Sequence, residues 1–271
     1  MVSDMGPPPE GERAFFWRDG SLQPADGTLP TAGTRLSLAD SWLLSDGRVR
    51  RVDLHRQRFL RGCAEVASVS QETAAAFWQA ALGTLPRSGD WFPRVELSAG
   101  EPGELRLRVR PAPARGGPVR VWVSDTADPR TAPRLKGPDL DVLGALRGRA
   151  VERGAQEALL TTESGVVLEA GYASVLWWDG DRLCVPSPEL PVLGGVTTAV
   201  VQERAARLGV PVSPREVPVE ELAGREVWLV NALHGIRPVR AWVGTSMRPG
   251  PALRAPEWQE WLAGESGEVR R

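Results

Sequence analysis

Between residues 157 and 187 the chain passes through four short apolar stretches in close succession, EALLTT, GVVLEA, ASVLWWDG and DRLCVPS. Each is too short for a helix and is punctuated by Gly, Asp or Ser, so the segment reads as a run of strands. It leads into LGGVTTAVVQERAARLG, where a glycine pair opens an amphipathic helix that stops at Gly209. The first half alternates in the same way. AFFWRDGSLQ and LADSWLLSDGRVRRV predict strands that reverse at Asp19-Gly20 and Asp46-Gly47. Helical spacing begins near Leu54 and again over QETAAAFWQAAL, after which WFPRVELSA and GELRLRVRPAP return to strand alternation.

A Pro/Gly-rich stretch at 110–118 then marks a boundary. Beyond it come the strand VRVWVSD, a helix over 139–153 with Gly154 as its stop, and the closing strands EVWLVNA and RPVRAWVG. The expectation is an α/β (α+β) chain of two domains. The first is a small N-terminal α/β domain over 13–113 and the second a larger, β-rich C-terminal domain over 119–258. Tails are expected at 1–12 and 259–271, with the active site in the cleft between the domains.

Charge and composition remove several functional classes. A net charge of −1 with both signs interspersed does not make the basic face of a nucleic-acid binder. No apolar run approaches the roughly 18 residues of a membrane span. The N-terminal residues MVSDMGPPPEGER have no apolar core of an export signal, so a cytoplasmic protein is expected. Cys63 and Cys184, far apart in apolar surroundings, are expected as buried thiols and not as a disulfide. With two histidines and no HxxxH or CxxC spacing, no metal site is expected, and no GxSxG elbow supports serine hydrolase chemistry.

One residue stands apart. Lys136, in PRLKGPDL, is the only lysine, and every other basic residue is arginine. Arginine matches lysine for charge and ion pairing, but it cannot lose a proton near neutral pH and attack a carbonyl. An ordinary surface lysine is the plain alternative. Its position, read as the end of a strand before Gly137-Pro138, suits a side chain projected into a cleft. Glu169 is a lone carboxylate in the apolar GVVLEA, costly to bury without a cationic partner, though a strand-end glutamate facing water satisfies the same pattern. In LGGVTT, free backbone N–H groups and the hydroxyls of Thr197 and Thr198 gather at a helix N-terminus, which suits a phosphate or simply a capped helix. The loop VNALHGIRPV, with Asn231, Ala232 and His234, can complete an anion pocket or be an ordinary turn. Lysine, carboxylate and phosphate cradle together are what pyridoxal phosphate requires.

In these motifs the chain resembles the fold-type IV pyridoxal-phosphate enzymes, the class IV aminotransferase family, over about Phe15 to Val243, and within it 4-amino-4-deoxychorismate lyase. The resemblance rests on Lys136 followed by GAQEALLTTESGVVLEAGYASVLWW, on LGGVTT, on HRQRF and on NALHGIRPV. It implies that Lys136 is the Schiff-base lysine and Glu169 the acid at the pyridine nitrogen. Val196, Thr197, Asn231, Ala232 and Arg58 then bind the cofactor, and Arg110 and His234 face the substrate. Ser41 stands at or near a catalytic hydroxyl position, and His55 orients the helix of Arg58. Three positions depart from the family pattern: Asp139 replaces an Asn, Leu140 a Tyr and Ser174 an Asn. The implied reaction is release of pyruvate from 4-amino-4-deoxychorismate to give 4-aminobenzoate, for folate or specialised metabolism, by a homodimer. Transamination of a small amino acid, of branched-chain or D-amino-acid type, is the alternative, and a non-catalytic family member a lesser one.

Overall fold

Along RVELS and LRLRV the apolar residues Val95, Leu97, Leu105, Leu107 and Val109 alternate with charged ones, so one face of the sheet they form is greasy and the other ionic. The computed structural model describes residues 11–25, 35–100 and 102–269. Of the tail expected at 1–12 only Gly11 and Glu12 fall within these, and Glu12 is ion-paired to Arg108 at 2.5 Å. In chain order the elements are β1 (Arg13–Arg18), β2 (Ser21–Pro24), β3 (Leu36–Ser41), β4 (Leu44–Ser45), β5 (Arg48–Val49), α1 (Val52–Val66), α2 (Gln71–Thr84), β6 (Asp90–Trp91), β7 (Arg94–Ser98) and β8 (Leu105–Val109). They continue with β9 (Val119–Val123), α3 (Leu140–Glu152), β10 (Glu157–Thr161), β11 (Val167–Ala170), β12 (Ser174–Asp179), β13 (Arg182–Pro186), α4 (Val196–Arg207) and β14 (Val212–Arg215). The last are β15 (Val227–Asn231), β16 (Gly235–Val243), α5 (Ala255–Gly264) and β17 (Gly267–Glu268).

Two compact units result. The first holds Met1–Ala114, Leu135–Pro138 and Ser266–Arg271, the second Arg115–Arg134 and Asp139–Glu265. In the first unit an antiparallel sheet runs β2-β1-β8-β7-β3. Its apolar face meets Phe59, Cys63, Phe77, Trp78 and Leu82 of α1 and α2. On its ionic face the register sets Arg94 opposite Arg108 and Glu96 opposite Arg106, and buried Glu96 pairs with both Arg94 and Arg106. Both predicted hairpin turns are present: Asp19 and Asp46 have φ of 50° and 45°, and Gly20 and Gly47 both 73°, the left-handed pair that a two-residue turn demands.

The second unit is built on an eight-stranded mixed sheet, β11-β10-β9-β16-β15-β12-β13-β14, parallel at β9/β10, β9/β16 and β13/β14. Trp177 and Trp178 are both buried, the latter edge-on to Trp228 and Trp258. Of the tail expected at 259–271, residues 259–264 complete a helix and 267–268 a strand, while 270 and 271 lie outside the described residues. Residues 255–264 form α5, because Glu226 accepts the N–H groups of Leu253, Arg254 and Ala255 at its start, and β17 pairs with β5. Cys63 and Cys184 are free, buried thiols. No helix among the described residues is long and apolar enough to cross a membrane.

Lys136 lies in neither helix nor strand but in the irregular segment 135–138, which belongs to the first unit; β9 has already ended at Val123. The segment is strapped to β3, where the Ala39 N–H donates to the Lys136 carbonyl at 2.6 Å. Gly137 makes the approach possible: with φ of 141°, a Cβ there would lie 2.7 Å from Ala39 N and from Leu38 Cα and C. Gly137→Ala is therefore expected to lower the urea midpoint by an amount equivalent to at least about 2 kcal/mol. Gly148→Ala, in α3 with nothing within 4 Å of the added carbon, should gain about 0.5–1 kcal/mol. Equal midpoints for the two variants would show that the strap carries no constraint.

Candidate active site

In the first unit the chemistry gathers on β3. Asp40 is fully buried, and a carboxylate there survives only with cationic and hydrogen-bonding partners. Arg58 of α1 supplies a fork, Nε to Oδ2 and Nη2 to Oδ1, both at 2.8 Å. His55, one turn earlier, places Nδ1 2.8 Å from Oδ1. Against the cost of burial, Arg58 and His55 hold the Asp40 carboxyl far below the usual range. Burial pushes the His55 pKa down, with Arg58 and Lys136 adding to the effect and Asp40 opposing it, so His55 is neutral and carries its proton on Nδ1 toward Asp40. Ser41, next in the strand, is buried. Lys136, strapped to Ala39, is thus brought to the strand that carries Asp40 and Ser41. Arg110, just past β8, stacks on Phe92 at 5.3 Å and donates from Nε to the Phe92 carbonyl at 3.2 Å. Burial and the neighbouring Arg94 and Arg108 push its pKa down to about 10.

In the second unit Glu169 sits buried in β11. Its Oε1 accepts from Arg130 Nη1 at 2.5 Å and from the Leu193 N–H at 2.9 Å. Burial raises its pKa, while Arg130 and Leu193 oppose the rise. The loop after Leu193 ends at Gly195, and α4 starts at Val196 with no side chain capping it, so the first N–H groups of the helix are free to meet an anion. Val196 and Thr197 are buried in that first turn. The Thr198 hydroxyl is buried without a partner among the described residues. A Cβ at Gly195 would fall 2.6 Å from Ser174 Oγ and 2.9 Å from Thr198 Oγ1, so the glycine keeps open a hollow lined by two hydroxyls.

The Asn231 side chain braces its own turn, Nδ2 donating to the Tyr172 carbonyl at 3.1 Å and Oδ1 accepting the His234 N–H at 2.7 Å. Ala232 lies in that turn, and His234 Nδ1 accepts the Gly116 N–H at 3.1 Å.

Sequence reasoning missed Asp40, Arg130 and Asp128. The first carried the same signal as Glu169, a carboxylate in an apolar strand. Arg130 and Asp128 stand in the aperiodic ADPRTAP and carry no local mark. The departures at Asp139 and Leu140 gain structural partners. Asp139 Oδ1 accepts the N–H and hydroxyl of Thr131 and Oδ2 the Ala132 N–H, and the Tyr172 hydroxyl donates to the Leu140 carbonyl at 3.3 Å.

The sequence pattern described as Amino-transferase class IV matches residues 37–242. The chain belongs to that family. Pyridoxal phosphate is the family's cofactor. Of solved structures, a hypothetical aminotransferase from Mycobacterium tuberculosis in PLP-bound form is similar over 94% of this chain and 98% of its own, with TM-score 0.79 and 20% identity. The fold IV-transaminase CpuTA1 from Curtobacterium pusillum follows with TM-score 0.78 and 19% identity over 93% of this chain and 97% of its own. A Legionella pneumophila structure described as "Putative 4-amino-4-deoxychorismate lyase" has TM-score 0.74 and 15% identity over 89% of this chain and 97% of its own. At these identities the likeness is one of fold. A curated relative, the "Probable branched-chain-amino-acid aminotransferase" of Synechocystis sp., is 28% identical over 128 residues, 42% of each chain. The residues fit the cofactor: an uncapped helix start, an unpartnered buried hydroxyl, a hollow that a Cβ would fill and an acid held by a guanidinium.

Half-buried His234 and buried Glu157, which both feel the charges of Arg147 and Arg237, titrate with opposite sign. Burial, with Arg237 and Arg147, pushes His234 down from 6.5 to about 4. Burial pushes Glu157 up from 4.5 to about 6, against Arg147 and Arg237. Between pH 4 and 6.5 the unfolded His234 binds more protons than the folded one, so stability rises with pH; for Glu157, between 4.5 and 6, the folded form binds more and stability falls. Relative to the wild type, His234→Gln should make the slope of unfolding free energy against pH more negative in that window, and Glu157→Gln more positive. Chemical denaturation at a series of pH values reads both; slopes moving in the same direction would contradict the assignment.

Proposed function

We propose that this chain is a pyridoxal-phosphate enzyme that converts 4-amino-4-deoxychorismate to 4-aminobenzoate and pyruvate. When bound, the cofactor supplies an aldehyde for the substrate amine and a ring that takes up the charge left by a departing proton. The chain's own groups do the rest. The Lys136 amine would hold the cofactor by its aldehyde and would take the proton from the substrate carbon that bears the amine. Glu169 keeps the ring nitrogen protonated, since an anion beside a base favours its charged form. The N–H groups of Val196 and Thr197, backbone groups of the 231–232 turn and the Arg58 guanidinium hold the phosphate. Arg58 has Nε and Nη2 committed to Asp40. Ser41 passes a proton to the leaving enolpyruvyl group, which departs as pyruvate, and Arg110, which has no carboxylate partner among the described residues, receives a substrate carboxylate; the family resemblance assigns His234 to the substrate as well.

The observation that supports the lyase over its relatives is the turn NALHG. Its Asn side chain is used up inside the turn, so backbone and His234 are what the turn offers a substrate. Transamination of a small amino acid is the second reading, favoured by the names of the Synechocystis and Curtobacterium relatives. Soluble cytoplasmic localisation and a homodimer belong to the same proposal by family resemblance.

Purified protein incubated with pyridoxal phosphate should show a visible band that borohydride bleaches and fixes on the chain, and Lys136→Ala should abolish it. Pyruvate released from 4-amino-4-deoxychorismate, with loss of at least about 10³-fold in Lys136→Ala, supports the lyase. A keto acid formed from branched-chain or D-amino acids, with no pyruvate, selects the transaminase. Absence of the band sinks both.

A further inference from the structure

Glu169 is held by a residue that no sequence motif marked. Arg130 is 5% exposed at its side chain, Glu169 7% and Asp128 9%, so the three form a nearly dry cluster. Arg130 spends almost every donor within it. Nε reaches Asp128 Oδ1 and Oδ2 at 2.9 and 3.0 Å, Nη2 reaches Asp128 Oδ2 at 2.8 Å and the Pro191 carbonyl at 3.1 Å, and Nη1 reaches Glu169 Oε1 at 2.5 Å. The guanidinium cannot rotate without breaking several bonds at once, so its direction toward Glu169 is fixed.

Both hydrogen bonds that Glu169 receives among the described residues, from Arg130 and from the Leu193 N–H, enter on Oε1. Oε2 is left as the acceptor. The charge count of the cluster is equally one-sided: two carboxylates face one guanidinium. A further carboxylate within reach of Arg130, Asp139, is satisfied by Thr131 and Ala132. The cluster is therefore short of one positive charge on the side of Oε2, and a protonated ring nitrogen has the charge and the donor to fill that place.

We propose that Arg130, braced by Asp128, is a positioning residue that keeps Glu169 ionised and turned with Oε2 outward, and so sets the protonation of the ring nitrogen. The identity of the ring rests on the function proposed above; the ionisation of Glu169 does not. A buried carboxylate deprived of its guanidinium takes up a proton, because burial penalises only the charged form. A neutral Glu169 offers no charge to hold a protonated ring, and the ring loses its capacity to draw electrons.

The test uses the full chain labelled with ¹³C at glutamate side-chain carboxyls, the Glu169 signal being assigned by its loss in Glu169→Gln. Wild-type Glu169 should be ionised at pH 7, and Arg130→Gln should raise its titration midpoint by at least one pH unit. Arg130→Lys, which keeps a positive charge, should restore at least half of that shift. In protein loaded with ring-¹⁵N pyridoxal phosphate, the nitrogen signal should be that of the protonated form in the wild type and move toward the deprotonated form in Arg130→Gln. A wild-type Glu169 that is protonated at pH 7 overturns the proposal even when Arg130→Gln does not fold, and so does an unchanged midpoint when it does. A cofactor that binds neither protein removes the functional reading alone, while the carboxyl titration still decides the role of Arg130.

Discussion

Two carboxylates buried in strands, Asp40 in β3 and Glu169 in β11, organise the two units, and a guanidinium reaches each of them. Removing one partner of such a pair typically costs about 3–5 kcal/mol, yet the intact pair adds little net stability over apolar residues of the same volume. Stability alone therefore does not explain them. What each pair does is fix direction. Asp40 locks the fork of Arg58 and the tautomer of His55, tying α1 to the strand that also receives the Lys136 carbonyl. Arg130 turns Glu169 and ties it through Pro191 and Leu193 to the loop that enters α4. Lys136 is strapped to the strand that carries one buried pair, and the other pair holds Glu169 and the loop that enters α4.

The hairpins, the helices α1 to α4 and most of the strands were legible because their signals are local: Asp-Gly at the turns and apolar residues at helical or alternating spacing. Lys136 was legible by contrast with an otherwise lysine-free chain, and Glu169 by the cost of burying it. α5 was not, because its start is held by Glu226, nearly thirty residues earlier, and its Trp258 packs on Trp178 and Trp228; nothing near APEWQEWLAG states either fact. Arg130 was hidden for a related reason. In a chain whose basic residues are otherwise all arginine, one more carries no information until its partners are known, and Asp128 alone among them is a sequence neighbour.

The substitution of Asp139 where the family resemblance leads one to expect Asn looks like erosion on sequence alone. The geometry argues otherwise. Three donors converge on this side chain, the N–H and hydroxyl of Thr131 and the N–H of Ala132. An amide offers one accepting oxygen and would turn its own N–H₂ toward one of these donors, whereas a carboxylate accepts all three. Burial alone would raise the pKa of Asp139, but the Thr131 and Ala132 N–H groups, the Thr131 hydroxyl and the nearby Arg130 charge outweigh it and hold the carboxyl below its ordinary range. Asp139 therefore makes no cap for α3 and instead braces the turn immediately after Arg130. One carboxylate fixes the guanidinium from Asp128 and another fixes the backbone that follows it. The departure at Asp139 is thus, in this chain, a brace on the turn next to Arg130, whose guanidinium reaches Glu169.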